Sequence, residues 1–178
     1  MLFANAGVPM LAIELPVMAI ALVPIVLLEA AIYARLLHSP WESALRGSWW
    51  ANAASTFIGI PIAWFILVLI QILIGGGRTW GMESPLDRIA AVTLQSAWLI
   101  PYEKDLNWMI PAAATVLLVP FFLVSIFVER FVLQRYWPES NHARLTRNVS
   151  IANMASYLLL AAFWGIQLYF ALSNRGDA

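Results

Sequence analysis

The chain has 178 residues, enough for one domain; 62% are apolar and 11% charged, and ten basic against ten acidic residues leave no net charge. Soluble domains run at roughly 45–50% apolar and about 25% charged, so a water-facing fold is excluded and a bilayer is the natural solvent. Nucleic acid is excluded as a partner, since phosphate binding draws on Lys and Arg clusters. The absence of cysteine excludes disulfides, iron–sulfur clusters, thioether haem attachment and thiol nucleophiles.

Met1 to Met10 carries no basic residue ahead of the first apolar run. A signal peptide needs a positive n-region, so that run is expected to be retained. The first span is predicted from about Val17 to Leu36, interrupted by Glu29 and Arg35. The second, Trp49 to Ile74, has no charge, and Gly75-Gly76-Gly77 closes it. Ser84-Pro85 then opens a short amphipathic helix expected to reach about Trp98, with serine as cap and proline in the first turn. Leu86, Ile89, Ala90, Thr93, Leu94 and Ala97 recur on it at helical spacing, and Pro101 stops it. Such a helix lies in the membrane interface or caps a partner. The third span runs from Leu106 to Val128 and the fourth from Val149 to about Leu172. A helix needs roughly 20 residues, at about 1.5 Å each, to cross a hydrocarbon core of about 30 Å. All four spans are long enough.

The two halves echo each other. Glu29, Arg35, Arg46 and Asn52 recur as Glu129, Arg135, Arg147 and Asn153. The second helices open on Ala51-Asn52-Ala53-Ala54-Ser55 and Ala152-Asn153-Met154-Ala155-Ser156, and the glutamate-to-asparagine distance differs by a single residue. Upstream, Pro16 and Pro24 are echoed by Pro111 and Pro120. The expected fold is therefore an all-α integral membrane protein, one membrane domain over residues 1–178. Its four transmembrane helices form two parallel helix-hairpin repeats, residues 16–74 and 106–173, joined by loop 75–105 with its interfacial helix. Two helices per repeat send both copies into the membrane in the same direction, about an axis along the membrane normal rather than the inverted axis of many transporters.

Orientation follows Lys and Arg in short loops. The hairpin turns hold Arg35, Arg46, Arg130, Arg135, Arg144 and Arg147, against Arg78, Arg88, Lys104 and Arg175 on the other side. Six against four places the turns in the cytoplasm of a bacterial inner membrane, with both termini outside.

Glu29 and Glu129 are the first candidates for chemistry, because an ionisable group in a span costs roughly 2.5–3.5 kcal/mol at the centre. Glu29 precedes Arg35 by six residues, about 9 Å along a helix, which sets it near the cytoplasmic rim, where a snorkelling or protonated carboxyl suffices. Neither glutamate faces its own helix's arginine, since facing pairs sit three or four apart; an ion pair has to cross between helices. Asn52, Ser55, Thr56, Asn153 and Ser156 begin at similar depth. One polar layer holding Glu29, Asn52, Ser55, Glu129, Asn153 and Ser156 is expected. Three roles fit it: pinning the hairpins by interhelical hydrogen bonds, carrying protons or ions, or touching a lipid headgroup or cofactor. The first needs nothing further. An ion path needs deeper carboxyls.

His38 and His142 fall in the turns, each alone, without metal-ligand spacing, so no metal and no cofactor are assigned. Of nine tryptophans, Trp49, Trp50, Trp80, Trp98, Trp108 and Trp137 suit an interfacial belt, while Trp64 and Trp164 read as packing within spans. Pro24, Pro61 and Pro120 are expected to kink their helices. Motifs for a serine nucleophile elbow, a zinc protease, a phosphate loop or a dinucleotide fold do not occur.

The words Leu28-Glu29-Ala30 with Tyr33, then Asn52, Ser55-Thr56 and Gly59, resemble small membrane proteins of cyanobacterial filaments, the Fra septal-junction proteins. The likeness covers the first hairpin and the approximate length. It implies a structural role at a cell–cell or envelope assembly, and no functional residue carries over with it. The expected function is a non-catalytic accessory or scaffolding subunit of a larger bacterial membrane complex, with other membrane proteins and lipids as partners and a homo-oligomer as one form of the assembly. The alternatives are an oligomeric transporter or channel protomer using the Glu/Asn layer, which needs a polar stripe the length of a span, and a lipid-modifying enzyme.

Overall fold

Apolar runs this long hold their backbone hydrogen bonds within helices, the arrangement a hydrocarbon solvent demands. The computed structural model describes residues 8–75, 83–94, 98–99 and 106–174. Its helices are α1 (Met10–Leu36), α2 (Trp41–Gly75), α3 (Pro85–Leu94), α4 (Leu106–Tyr136) and α5 (His142–Ser173). A short antiparallel pairing sets β1 (Val8–Pro9) against β2 (Trp98–Leu99). Four stretches are long and apolar enough to cross a membrane: Pro16–Leu36, Trp41–Ile74, Asn107–Tyr136 and His142–Ser173.

The helices outrun the apolar runs that announce them. α1 begins at Met10 rather than Val17, α2 at Trp41 rather than Trp49, and α5 at His142 rather than Val149, while α4 continues past Val128 to Tyr136. Local signals account for the extra turns. The Asn141 Oδ1 accepts from the Ala143 and Arg144 amides at 2.8 and 3.4 Å, capping α5. Glu42 sits in the first turn of α2, favourable to the helix dipole, and takes a hydrogen bond from Arg46 one turn on. Hydropathy ends at the hydrocarbon boundary; the hydrogen-bond ladder does not.

α3 starts where the Ser84-Pro85 signal sets it. The Asp87 amide donates to Ser84 Oγ at 3.1 Å and the Ser84 amide donates to Asp87 Oδ2 at 3.2 Å, a reciprocal capping box. It ends at Leu94, short of the expected Trp98, which lies in β2. Of the residues used in the sequence reading, Gly76, Gly77, Arg78, Trp80, Ala97, Pro101, Lys104 and Arg175 lie outside the described residues.

The chain divides into two compact units. One comprises Met1–Leu15, Ala63–Val119 and Ala161–Ala178; it buries Leu67, Ala91, Val92, Met109, Ala113, Ala114 and Leu117. The other comprises Pro16–Ile62 and Pro120–Leu160, and holds every expected polar-layer residue. Its core is Ala30, Tyr33, Ala44, Ala51, Leu133, Leu145, Val149 and Ala152, with Trp137 packed against it. Four of those eight are alanines, because small side chains let membrane helices approach closely. Gly47 serves the same end: a Cβ there would stand 3.0 Å from the Trp137 ring and 3.2 Å from Leu133.

The α1–α2 turn is tight. Leu37 N–H donates to Tyr33 O at 2.9 Å, His38 takes the left-handed conformation at φ 52°, and Pro40 prevents the helix from continuing. Arg144 donates to Leu36 O at 3.3 Å, placing a cation on an orphan carbonyl at the end of α1. In the α4–α5 turn, Gln134 Nε2 donates to the carbonyls of Pro138 and Ser140, both at 3.3 Å.

Gly47→Leu is expected to destabilise the protein by about 1–3 kcal/mol, the usual range for overpacking. Gly165→Leu should be neutral or slightly stabilising, because nothing lies within 4 Å of a Cβ at Gly165 and leucine is the better helix former. Unfolding of each variant in detergent micelles checks the contrast; equal effects would refute the close approach of α2 to Trp137.

Candidate functional site

The polar layer forms, inside the unit of residues 16–62 and 120–160. Glu29 on α1 is 0% exposed and Glu129 on α4 is 1% exposed, so neither carboxyl snorkels out of the protein, as the rim position had allowed. The reason is a supply of donors at the same level. Asn52 Nδ2 donates to Glu29 Oε2 at 2.7 Å, and Ser156 Oγ donates to Glu29 Oε1 at 2.7 Å. Asn153 Nδ2 donates to Glu129 Oε2 at 2.8 Å, and Ser55 Oγ donates to Glu129 Oε1 at 3.0 Å. The Tyr33 hydroxyl adds a longer bond to Glu129 Oε2 at 3.4 Å.

The pattern is reciprocal. Each glutamate takes an amide from the helix that follows it and a hydroxyl from the helix that follows the other glutamate. α1, α2, α4 and α5 are thereby tied together through two carboxyl groups. Each carboxyl oxygen accepts at least one hydrogen bond, the condition for burying such a group without a large penalty.

Helix geometry supplies the donors. Asn52 and Ser55, like Asn153 and Ser156, are three apart and share a helix face. On α2 that face continues through Ala44, Gly47, Ser48 and Ala51, all buried; on α5 it continues through Leu145, Asn148, Val149 and Ala152. Backbone carbonyls orient the side chains. Asn52 Nδ2 also reaches Ser48 O at 3.0 Å, and Asn153 Nδ2 reaches Val149 O at 3.1 Å, each one turn back. Ser55 and Ser156 Oγ lie 3.1 and 3.0 Å from the carbonyls of Asn52 and Asn153. Each single hydroxyl hydrogen is thus shared between a carboxyl and a carbonyl, and the rotamer is fixed from both sides.

The arginines lie elsewhere. Arg35, Arg46, Arg135, Arg144 and Arg147 are all exposed. Arg46 pairs with Glu42 at 2.7 Å, Arg135 stacks on Phe131 at 4.5 Å from the ring centre, and Arg144 caps α1. The donors to Glu29 and Glu129 are neutral: two amides, two serines and a phenol. His38 and His142 are exposed, and no group of three His, Cys, Asp or Glu side chains gathers among the described residues.

Sequence reasoning did not find Tyr33's bond to Glu129, nor Ser48, which donates to Val26 O at 3.0 Å. It also missed the 3.0 Å contact between the Ser125 and Tyr157 hydroxyls, with Phe122 edge-on to the Tyr157 ring. Ser125 stands four residues before Glu129, so a spacing search from the glutamate reaches it; nothing in the sequence points to its partner. Asn153 Oδ1 and Asn148 Nδ2 are buried without a hydrogen-bond partner. No family model, curated protein or solved structure matches this chain.

Because bonds within one network are coupled, Ser156→Ala and Glu29→Gln should be non-additive, with an interaction energy of about 0.5–2 kcal/mol. The same holds for Ser55→Ala with Glu129→Gln. A double-mutant cycle on unfolding in detergent measures this, and additivity in both pairs would contradict the reciprocal bonding.

Proposed function

We propose that the protein is a non-catalytic structural subunit of a bacterial membrane complex. In this reading the glutamate layer is a clasp that closes two duplicated, parallel hairpins into one body. The observation that carries it is the engagement of both buried carboxyls by side chains of the other helices, in the same reciprocal pattern around each glutamate. A duplication with parallel insertion accounts for that pattern, because equivalent residues then meet across one axis. The exposed apolar faces support a partner role: Phe57, Leu73, Phe127 and Tyr169 all lie 68–82% exposed and offer broad surfaces to lipid or to other membrane helices. The first-hairpin resemblance implies a septal or envelope assembly as the setting. The positive-inside bias supports an inner-membrane orientation with both turns cytoplasmic, and the short α3 serves as an interfacial helix on the opposite side.

A transporter or channel protomer is the second reading. The bare Asn153 Oδ1 beside Glu129 and the Ser125–Tyr157 contact near it favour this role, since both extend the polar network beyond what a clasp requires.

The two readings part on one pair of substitutions. For a clasp, Glu29→Gln and Glu129→Gln are mild, because an amide keeps hydrogen-bonding capacity and removes a charge; Glu→Leu loses about 1–2 kcal/mol at each site by stranding its partners and loosens the complex. For a proton carrier, Gln is as damaging to activity as Leu while assembly stays intact. Purification of the native complex carrying each variant, with its activity measured, decides; intact assembly with lost activity in the Gln variants would sink the structural reading.

Topology has its own test, helped by a chain that lacks cysteine. Single cysteines at Ser39 and Ser140 should label only from the cytoplasm, and those at Ser84 and Ser173 only from outside. Labelling of the two turns from opposite sides would break the parallel repeat.

A further inference from the structure

Two hollows in the unit of residues 16–62 and 120–160 meet at one side chain. The first, about 330 Å³, is a groove between α1 and α2, walled by Val23, Val26 and Leu27 on one side and Leu45, Trp49 and Trp50 on the other. The second, about 300 Å³, is bordered by Glu42, Ser43 and Tyr136. Arg46 lines both. Apart from that arginine the first hollow is apolar-walled; the second carries a carboxylate, a hydroxyl and a phenol.

We propose that these hollows together bind one phosphatidylethanolamine molecule, with an acyl chain in the groove, the phosphate on Arg46 and the ammonium on Glu42. Charge complementarity selects the headgroup. Arg46 and Glu42 stand 2.7 Å apart, one helical turn from each other, and both are well exposed. The site therefore presents a positive and a negative charge side by side at the end of an apolar slot. Phosphatidylethanolamine carries the opposite pair, a phosphate and a primary ammonium separated by two carbons. Arg46 has five N–H donors in a planar fork; its bond to Glu42 leaves others for a phosphate, which guanidinium matches in two-pronged fashion. The Glu42 carboxylate accepts from an ammonium N–H, whereas choline offers none. Phosphatidylglycerol adds no cation to pair with Glu42, so the carboxylate stands unanswered beside a second negative charge. The groove walls suit an acyl chain, and Trp49 and Trp50, 46% and 57% exposed, flank it as indoles do at headgroup depth.

This inference rests on the helix ends lying at a lipid interface and not on the structural-subunit role, so either can fail alone. The test is native mass spectrometry of the delipidated full-length chain in detergent. It is titrated with phosphatidylethanolamine, phosphatidylglycerol and phosphatidylcholine of identical acyl chains. The expected result is retention of phosphatidylethanolamine about fivefold above the other two, the ratio that about 1 kcal/mol per headgroup contact gives. Glu42→Gln should erase that preference by lowering phosphatidylethanolamine to the level of phosphatidylcholine. Arg46→Gln should reduce all three lipids. Val23→Trp should also reduce all three by filling the groove, an effect that a headgroup contact alone does not predict. Thermal unfolding confirms that the Glu42 and Arg46 variants keep the wild-type fold, as exposed positions allow. Equal retention of the three lipids, a preference for phosphatidylglycerol, or a phosphatidylethanolamine preference that survives Glu42→Gln would overturn the proposal.

Discussion

Two glutamate side chains buried among apolar helices set the terms for the rest of the unit that contains them. A carboxyl removed from water must find hydrogen-bond donors or the burial is prohibitive. In hydrocarbon those donors come only from neighbouring helices. That requirement dictates the opposing face residue by residue: an asparagine and a serine three apart on α2, and the same pair on α5. It also dictates distance. Bonds of 2.7–3.0 Å from short serine and asparagine side chains require closely approaching backbones, and the small residues Ala44, Gly47, Ser48, Ala51 and Ala152 provide that approach. The polar and small positions are one adaptation, since lengthening any of the small side chains would draw donors away from carboxyls.

The rigidity of the layer depends on the turns beside it. Tyr33 joins the two regions: its hydroxyl reaches Glu129, and its ring packs 6.0 Å from that of Trp137. Trp137 in turn lies over Gly47 and donates to Ser39 in the opposite turn at 3.3 Å. Arg144, near the start of α5, caps the end of α1. Cross-links between the ends of different helices limit sliding of the helices against one another, and the short hydrogen bonds to Glu29 and Glu129 depend on that restraint.

Much of this was legible in the sequence, and the physical reason is periodicity. Glu29, Asn52 and Ser55, and their counterparts Glu129, Asn153 and Ser156, stand out because polar residues are rare in such runs and recur at fixed spacing. The depth match between them followed from counting 1.5 Å per residue. Partner assignment was less legible. Spacing along one helix says nothing about rotation of another, so the crossing of Ser55 to Glu129 and Ser156 to Glu29 is set only by the packing of the folded helices. Tyr33 was visible only as a letter beside Glu29, because a tyrosine in an apolar helix reads equally as packing or interface. The six-residue spacing rules out a pair between each glutamate and its own helix's arginine but leaves a pair across helices open. The guanidinium groups of Arg35, Arg46, Arg135, Arg144 and Arg147 remain exposed, and neutral donors serve the carboxyls. Helix ends were missed because hydropathy measures solvent preference, while caps such as Asn141 act through backbone amides.

The departures from equivalence between the two halves bear on why one chain would carry both. Four residues after Glu29 stands Tyr33, but four after Glu129 stands Leu133; four before Asn52 stands Ser48, but four before Asn153 stands Val149. Five before the asparagines stand Gly47 and Asn148, and eight after the glutamates stand Leu37 and Trp137. Each change is compensated locally. Tyr33 has Glu129 as its acceptor, Ser48 has Val26 O, and Trp137 has the space that Gly47 leaves. A symmetric dimer of single hairpins could not hold different residues at equivalent positions, because every residue would appear on both sides at once. One chain that carries both hairpins is free of that constraint, and its two halves differ at these positions while glutamate, asparagine, serine and alanine keep equivalent places. The outer faces carry the same freedom, so the two sides of a single chain need not expose the same side chains.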